Sequence, residues 1–223
     1  MSRFYEKLTA RNLTFQHVCE VGVYRPETTQ LAAFIRRGVR TTLVEANPQA
    51  VAQLRQAFAG AHVRIHPVAV WDTPGTLTMA RAASSTFATA LASSPALVND
   101  RYRLREATTF EVPCVQFSDL DDGTIDLLGI DIEGADWYVL KHLRSRPRVL
   151  AIETHGKYYT NPFLSQIKQW LHAHGYVLWY KDRSDSVYIQ DGLLVVSLAD
   201  RYDTTCEEFW IVWRKLMRVF KRR

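Results

Sequence analysis

Acidic residues stand at the ends of several short apolar runs, the places where an open α/β sheet presents groups to a ligand. Glu20 comes two residues before Gly22, Glu45 precedes Ala46 and Asn47, Asp72 follows Val70-Trp71, and Asp131 and Glu133 lie within Gly129 to Gly134. A glycine at 22 lets the backbone approach a bound molecule, and a helix starting after it would aim its amides at a carboxylate, such as that of a methionine-like group. An ordinary strand-to-helix turn has the same signature. The carboxylate of Glu45, 25 residues after Glu20, can accept hydrogen bonds from both hydroxyls of a ribose. With Gly22 it points to an adenosine-containing ligand, although an acid beside a helix N-cap fits that residue alone. Asp72 and the backbone at Val70 would then fall near the adenine; Asp72-Thr-Pro-Gly75 is equally a turn sequence.

Asp131 and Glu133 carry the strongest signal, because two carboxylates interrupt a run that is otherwise apolar. Buried acids are costly unless paired or used. Glu153, Thr154 and His155 close the next apolar run. Together Asp131, Glu133, Glu153 and His155 can supply a general base, or an oxygen-rich divalent-cation site with one imidazole. Taken alone, His155 is more commonly a satisfied structural histidine.

Alternating short apolar runs and helical patterns must position these groups, the pattern of a mostly parallel sheet with helices on both faces. Phe15 to Val21, Thr41 to Glu45, Val63 to His66, Val68 to Trp71, Thr76 to Met79, Phe110 to Phe117, Ile125 to Ile132 and Arg148 to Thr154 read as extended. Helices are expected over Thr28 to Arg37, from an Asn47 N-cap with Pro48 to Gly60, over Ala135 to Leu143 and over Phe163 to His174. Tyr176 to Tyr180, Ser186 to Gln190 and Leu193 to Leu198 read as antiparallel edge strands. Ala80 to Thr109 is weakly patterned and long, which predicts an insert or lid. One domain over residues 1–200, followed by a basic helix over 201–223, is the expected organisation.

The 223 residues are 47% hydrophobic and 23% charged, the balance of a folded soluble domain. No apolar run has secretory length or reaches the roughly 20 residues of a membrane span, so a cytoplasmic protein is expected. Cys19, Cys114 and Cys206 are odd in number and widely spaced, against a disulfide framework or thiolate zinc site. Of the formal charge of +5, Cys206 to Arg223 carries +4, with six basic residues and two acidic ones. A nearly neutral body argues against a nucleic-acid-binding surface. In that tail Thr204 and Glu207 form a capping box, and Phe209, Trp213, Leu216 and Phe220 recur at helical spacing. Such a helix can lie on an anionic membrane, at the inner face, or dock its apolar side on the body.

Glu20-Val-Gly22, Val44-Glu45-Ala-Asn47-Pro48, Val68-Ala-Val-Trp-Asp72 and Ile125-Asp126-Leu-Leu-Gly-Ile-Asp131-Ile-Glu133-Gly134-Ala-Asp136 occur in an order that resembles the FkbM family of S-adenosylmethionine-dependent methyltransferases. That family modifies hydroxyls on sugars, glycans and polyketides. The resemblance implies a Rossmann-like class I methyltransferase sheet, with cofactor contacts from Glu20, Gly22, Glu45, Ala46, Asn47, Val70, Asp72 and Asp131. It also implies transfer of a methyl group to a sugar or glycan hydroxyl. Asp131 is then the polar centre nearest the methyl, His155 the proton acceptor and Glu153 its neighbour. The chain departs from the family at Pro26, where a second glycine is usual, so Thr28, Thr29 and helix amides would have to take over the local contacts. Two other classes fit parts of the chain. A nicotinamide-dependent oxidoreductase lacks its Gly-x-Gly-x-x-Gly here, and a non-catalytic binding protein of glycan assembly would leave the carboxylates without turnover.

Overall fold

The computed structural model describes residues 3–82, 85–99, 102–103, 108–182 and 184–220. Apolar runs form the core strands: β1 (His17–Val21), β2 (Arg40–Val44), β3 (Val63–His66), β8 (Leu127–Ile130) and β9 (Val149–Glu153). These five are mutually parallel, in the order β9-β8-β1-β2-β3. The antiparallel pair β11 (Asp185–Gln190) and β10 (Tyr176–Asp182) extends the sheet beyond β9, giving seven strands.

Side chains alternate between the faces of a strand, and both faces of this sheet are covered. Val18, Leu127, Val149 and Ala151 point toward α1 (Arg3–Ala10) and α2 (Ala32–Arg36), where they meet Phe4, Leu8 and Phe34. Leu54 of α3 (Pro48–Ala57) joins the same cluster. Their neighbours Cys19, Leu128, Leu150 and Ile152 point the other way, onto Val139 and Leu140 of α5 (Asp136–Lys141) and Ile167 and Leu171 of α6 (Leu164–Ala173). Burial on both sides explains why β8 and β9 read as unbroken apolar runs rather than alternating ones.

A second sheet was not anticipated. β4 (Ala69–Val70), β7 (Thr108–Val115), β5 (Gly75–Ala82) and β6 (Ser85–Ala88) pair in that order. Within the stretch expected as an insert or lid, β5 continues to Ala82, β6 returns antiparallel to it, and α4 (Pro95–Val98) follows behind a Ser94 N-cap. Residues 83, 84, 100, 101 and 104–107 of that stretch lie outside the described residues. β5 is rich in Thr and Ala, and β7 alternates exposed Thr109, Glu111 and Pro113 with apolar residues, so their apolar signal is weak.

Two further expectations are corrected. Leu193 to Leu198 is not a strand; Leu193, Leu194 and Val196 pack irregularly on the core before a helix, α7 (Leu198–Phe220). The capping box at Thr204 lies inside that helix, because Ser197 Oγ already accepts the Asp200 amide at 3.1 Å. Thr204 Oγ bonds back to the Asp200 carbonyl, as a mid-helix hydroxyl does. Asp200 secures the helix: Lys7 and Arg11 reach its carboxylate at 2.6 and 2.9 Å, and Trp179 Nε1 donates to it at 3.2 Å. Burial opposes ionisation there, but the hydrogen bonds from Lys7, Ser197 and Trp179 outweigh it and hold the carboxyl down at about 2.

Candidate active site

The chain leaves β1 toward α2 and β3 on one side, while β8 and β9 lie on the other, so the carboxyl ends of β1 and β8 flank the point where strand order reverses. Loops diverge at such a point and leave a crevice. A cavity of about 270 Å³ opens there, lined from the first sheet by Glu20, Gly22, Glu45 and Asp131, and from the second by Val70, Leu77 and Met79.

Gly22 makes the junction possible. Its amide donates to the Val44 carbonyl at 2.9 Å, and the Asp131 amide donates to the Val21 carbonyl at 2.9 Å, tying β2, β1 and β8 together where they end. Gly22 has φ +91°, and a Cβ built on it would lie 1.8 Å from the Asp131 carbonyl oxygen. No other residue type fits that position.

Glu45 is fixed at both oxygens. Oε2 accepts the Val23 amide at 2.9 Å and Oε1 accepts the Asn47 amide at 2.6 Å. Asn47 caps α3 through the Gln49 amide and is itself buried, so its part is to hold Glu45 rather than to line the cavity. Burial raises the Glu45 carboxyl to about 7 against the lowering effect of these amides. Ala46 lines the cavity beside it.

Glu20 is held in the same manner by different donors. Thr29 Oγ donates to it, the Gln30 amide donates at 3.3 Å, and Thr29 Oγ in turn accepts the Leu31 amide at 3.1 Å. The amides ahead of α2 are thus spent on Glu20 and Thr29 instead of pointing freely at a ligand. Thr28 and Gln30 line the cavity; Thr29 does not. Pro26 lies in a turn in which the Thr28 amide reaches the Arg25 carbonyl at 3.1 Å. It stands off the cavity, and Tyr24, Thr28 and Gln30 occupy the wall there.

Asp72 falls outside the cavity, contrary to expectation. Lys141 and His142 of the α5 region bind it at 2.6 and 3.1 Å, and these hydrogen bonds lower its pKa. Val70 and Trp71, just before it, do line the cavity.

Behind Asp131 lies a group of acids. Asp131 is exposed to the cavity, and desolvation by the surrounding protein, then Asp185, Glu133, Asp136 and Glu20, raise its pKa well above the ordinary range. Glu133 also lines the cavity and has φ +56°, unusual for a residue with a side chain. Asp136 accepts from Asn161 Nδ2 at 2.6 Å and from the Ile132 amide at 3.2 Å, and burial raises it to about 7. Glu153 is 7% exposed, its Oε2 has no hydrogen-bond partner among the described residues, and burial and then Asp131 push its pKa far up. His155 is buried at the end of the same strand, with Nδ1 3.0 Å from Thr154 Oγ. Neither Glu153 nor His155 reaches the cavity wall. Among the described residues no group of three or more His, Cys, Asp or Glu is arranged to hold a metal ion, so the alternative of a cation site at Asp131, Glu133, Glu153 and His155 finds no support.

These raised carboxyls fix a pH dependence. Glu20, Glu45 and Asp136 titrate near 7 in the folded chain, above the 4.5 and 3.8 of free side chains. Between those limits the folded state keeps protons that the unfolded chain releases, so stability falls as pH rises through the window and levels off above it. His17 and His66 are lowered by burial and act in the opposite sense, but they are outnumbered. The thermal midpoint of the ligand-free protein should therefore rise by roughly 5 °C or more between pH 7.5 and 5.5. A midpoint that falls over that range would contradict the assignment of these groups.

Tyr24, Gln30, Leu77, Met79 and Thr86 also line the cavity, and no sequence pattern singled them out. Three of them come from the second sheet, whose existence the sequence did not announce.

A comparison with curated proteins gives no match. Residues 20–178, more than half of the chain, match the family model described as the methyltransferase FkbM domain. That span runs from Glu20 across the whole cavity-bearing region to β10, and the chain belongs to the FkbM methyltransferase family.

Proposed function

We propose that this protein is an S-adenosylmethionine-dependent O-methyltransferase acting on a hydroxyl of a sugar, glycan or related small molecule. The observation that carries the reading is Glu45, a buried carboxylate whose two oxygens are each oriented by one amide at the wall of the cavity. Each oxygen retains a lone pair, which suits the paired hydroxyls of a ribose. The cavity's apolar side, Val70, Trp71 and Leu77, gives an adenine a dry wall. Thr28, Gln30 and the Gly22 backbone lie on the side where an amino-acid group would be held. The strand-order reversal beside the cavity supports a Rossmann-like layout.

Bound there, the cofactor supplies an electrophilic methyl group. The chain's own contribution is to hold an acceptor hydroxyl in line and to receive its proton. Of Asp131, Glu153 and His155, only Asp131 lines the cavity, so the proton passes to Asp131 in this reading rather than to His155. Its raised pKa makes it a stronger base than an ordinary carboxylate when ionised. Glu153 and His155 are buried away from the cavity wall, and the Asp131 charge helps to raise the Glu153 pKa. Tyr24, Gln30 and Thr86 add polar groups of the kind that read hydroxyls.

Glu45→Gln tests the central contact. One oxygen becomes an NH₂ facing an amide donor, so the variant loses the oriented acceptor pair while keeping its shape. Affinity for S-adenosylmethionine and for S-adenosylhomocysteine should fall about tenfold or more. Unchanged affinity in a folded Glu45→Gln protein would remove Glu45 from the cofactor site.

A further inference from the structure

α7 presents its apolar side to solvent, the reverse of a docked terminal helix. Phe209, Trp213 and Leu216 follow one another at helical spacing and are 60%, 46% and 51% exposed, with Trp210, Val212 and Met217 exposed beside them. Among the described residues of this half of the helix, Ile211 alone is a buried apolar contact. The inward face instead docks through polar groups: Asp203 pairs with Arg3 at 3.5 Å, Glu208 with Lys181 at 3.1 Å, and Lys215 bonds Thr160 Oγ.

We propose that this outward face of α7 is a docking surface for an anionic lipid membrane, on which the helix lies parallel to the surface. Charge decides among the candidate occupants. The acids of the helix are already engaged, Asp200, Asp203 and Glu208 by the body and Glu207 by Arg214 at 3.8 Å. The sequence from Arg214 to Arg223 contains six basic residues and no acid. A face of Phe, Trp, Leu and Met on a segment whose sequence ends in four further bases and no acid matches the boundary between headgroups and acyl chains. A second copy of the chain fits less well, since parallel packing of two α7 helices would bring the basic ends together. Antiparallel packing would set those ends against acids that already have partners. No helix among the described residues is long and apolar enough to cross a membrane, so the helix lies on the surface and does not span it.

Flotation of the purified full chain with vesicles tests this. Vesicles of phosphatidylcholine alone and of phosphatidylcholine with phosphatidylglycerol at about three to one separate apolar from anionic attraction. The protein should float with the anionic vesicles, at least about tenfold more tightly than with the neutral ones, and the difference should shrink in ~0.5 M salt. Replacing Phe209, Trp213 and Leu216 together by serine should cut binding about tenfold or more while leaving the circular dichroism and cofactor affinity unchanged. Should that variant unfold, charge reversal by Lys221→Glu with Arg222→Glu replaces it and should reduce binding to anionic vesicles alone. Absence of flotation, equal flotation on both vesicles, or undiminished binding by folded variants would overturn the proposal. So would a dimer in sedimentation that the serine variant converts to monomer while the native chain ignores vesicles.

Discussion

Replacing Gly22 by alanine is expected to destabilise the protein by about 3 kcal/mol or more and to remove measurable cofactor binding. Two penalties combine. A left-handed backbone costs an L-residue about 1–2 kcal/mol, and Gly22 sits at φ +91°. The added methyl would also lie 1.8 Å from a backbone oxygen of Asp131, which no rotamer change can relieve. β1 and β8 would have to part at the point where the Asp131 amide bonds Val21. For a chain of this size the loss corresponds to a drop of roughly 6–12 °C in thermal midpoint. The same displacement moves Val23, whose amide orients Glu45, so the ligand site should fail with the junction. A Gly22→Ala protein melting within a degree or two of the native chain would show that the junction is looser than described.

Asp131→Asn should separate chemistry from stability. The substitution is close to isosteric and removes one charge from a site where burial and the acids Asp185, Glu133, Asp136 and Glu20 all disfavour ionisation. Folding stability should therefore be unchanged or higher, and cofactor affinity should stay within about tenfold. Methyl transfer, once an acceptor is in hand, should fall roughly 100- to 10,000-fold, the range for losing a positioned base. Full turnover in Asp131→Asn would pass the proton to another group, and a collapse of the fold would mean that the carboxylate is structural.

The parts of the site that were legible in the sequence are those where strand burial and a turn residue coincide. β1, β2 and β8 each carry an apolar run because both faces are covered, and their ends are marked by Gly22, by Asn47-Pro48 and by the sudden acids at 131 and 133. Glu20, Glu45 and Asp131 could be placed at strand ends on that basis, and each lines the cavity. Asp72 and His155 obey the same rule of position but not of direction. Lys141 draws the first outward, and the second is buried beside Thr154. Lys141, 69 residues away, leaves no local trace at Asp72. The second sheet was hidden for a different reason: β5 and β7 are polar on one face, so its Leu77 and Met79 entered the cavity wall unannounced. The periodicity of α7 was plain, but periodicity does not say which side of a helix faces the body. Asp200, a polar anchor near the start of the helix and more than two turns before the apolar stripe, decides that.

Titration calorimetry with S-adenosylmethionine and S-adenosylhomocysteine on the native, folded chain reaches the account's foundation most directly. Saturable heat at one ligand per chain, diminished by Glu45→Gln, is the predicted result. A flat trace with both compounds, from protein that melts cooperatively, would contradict the site built around Gly22 and Glu45.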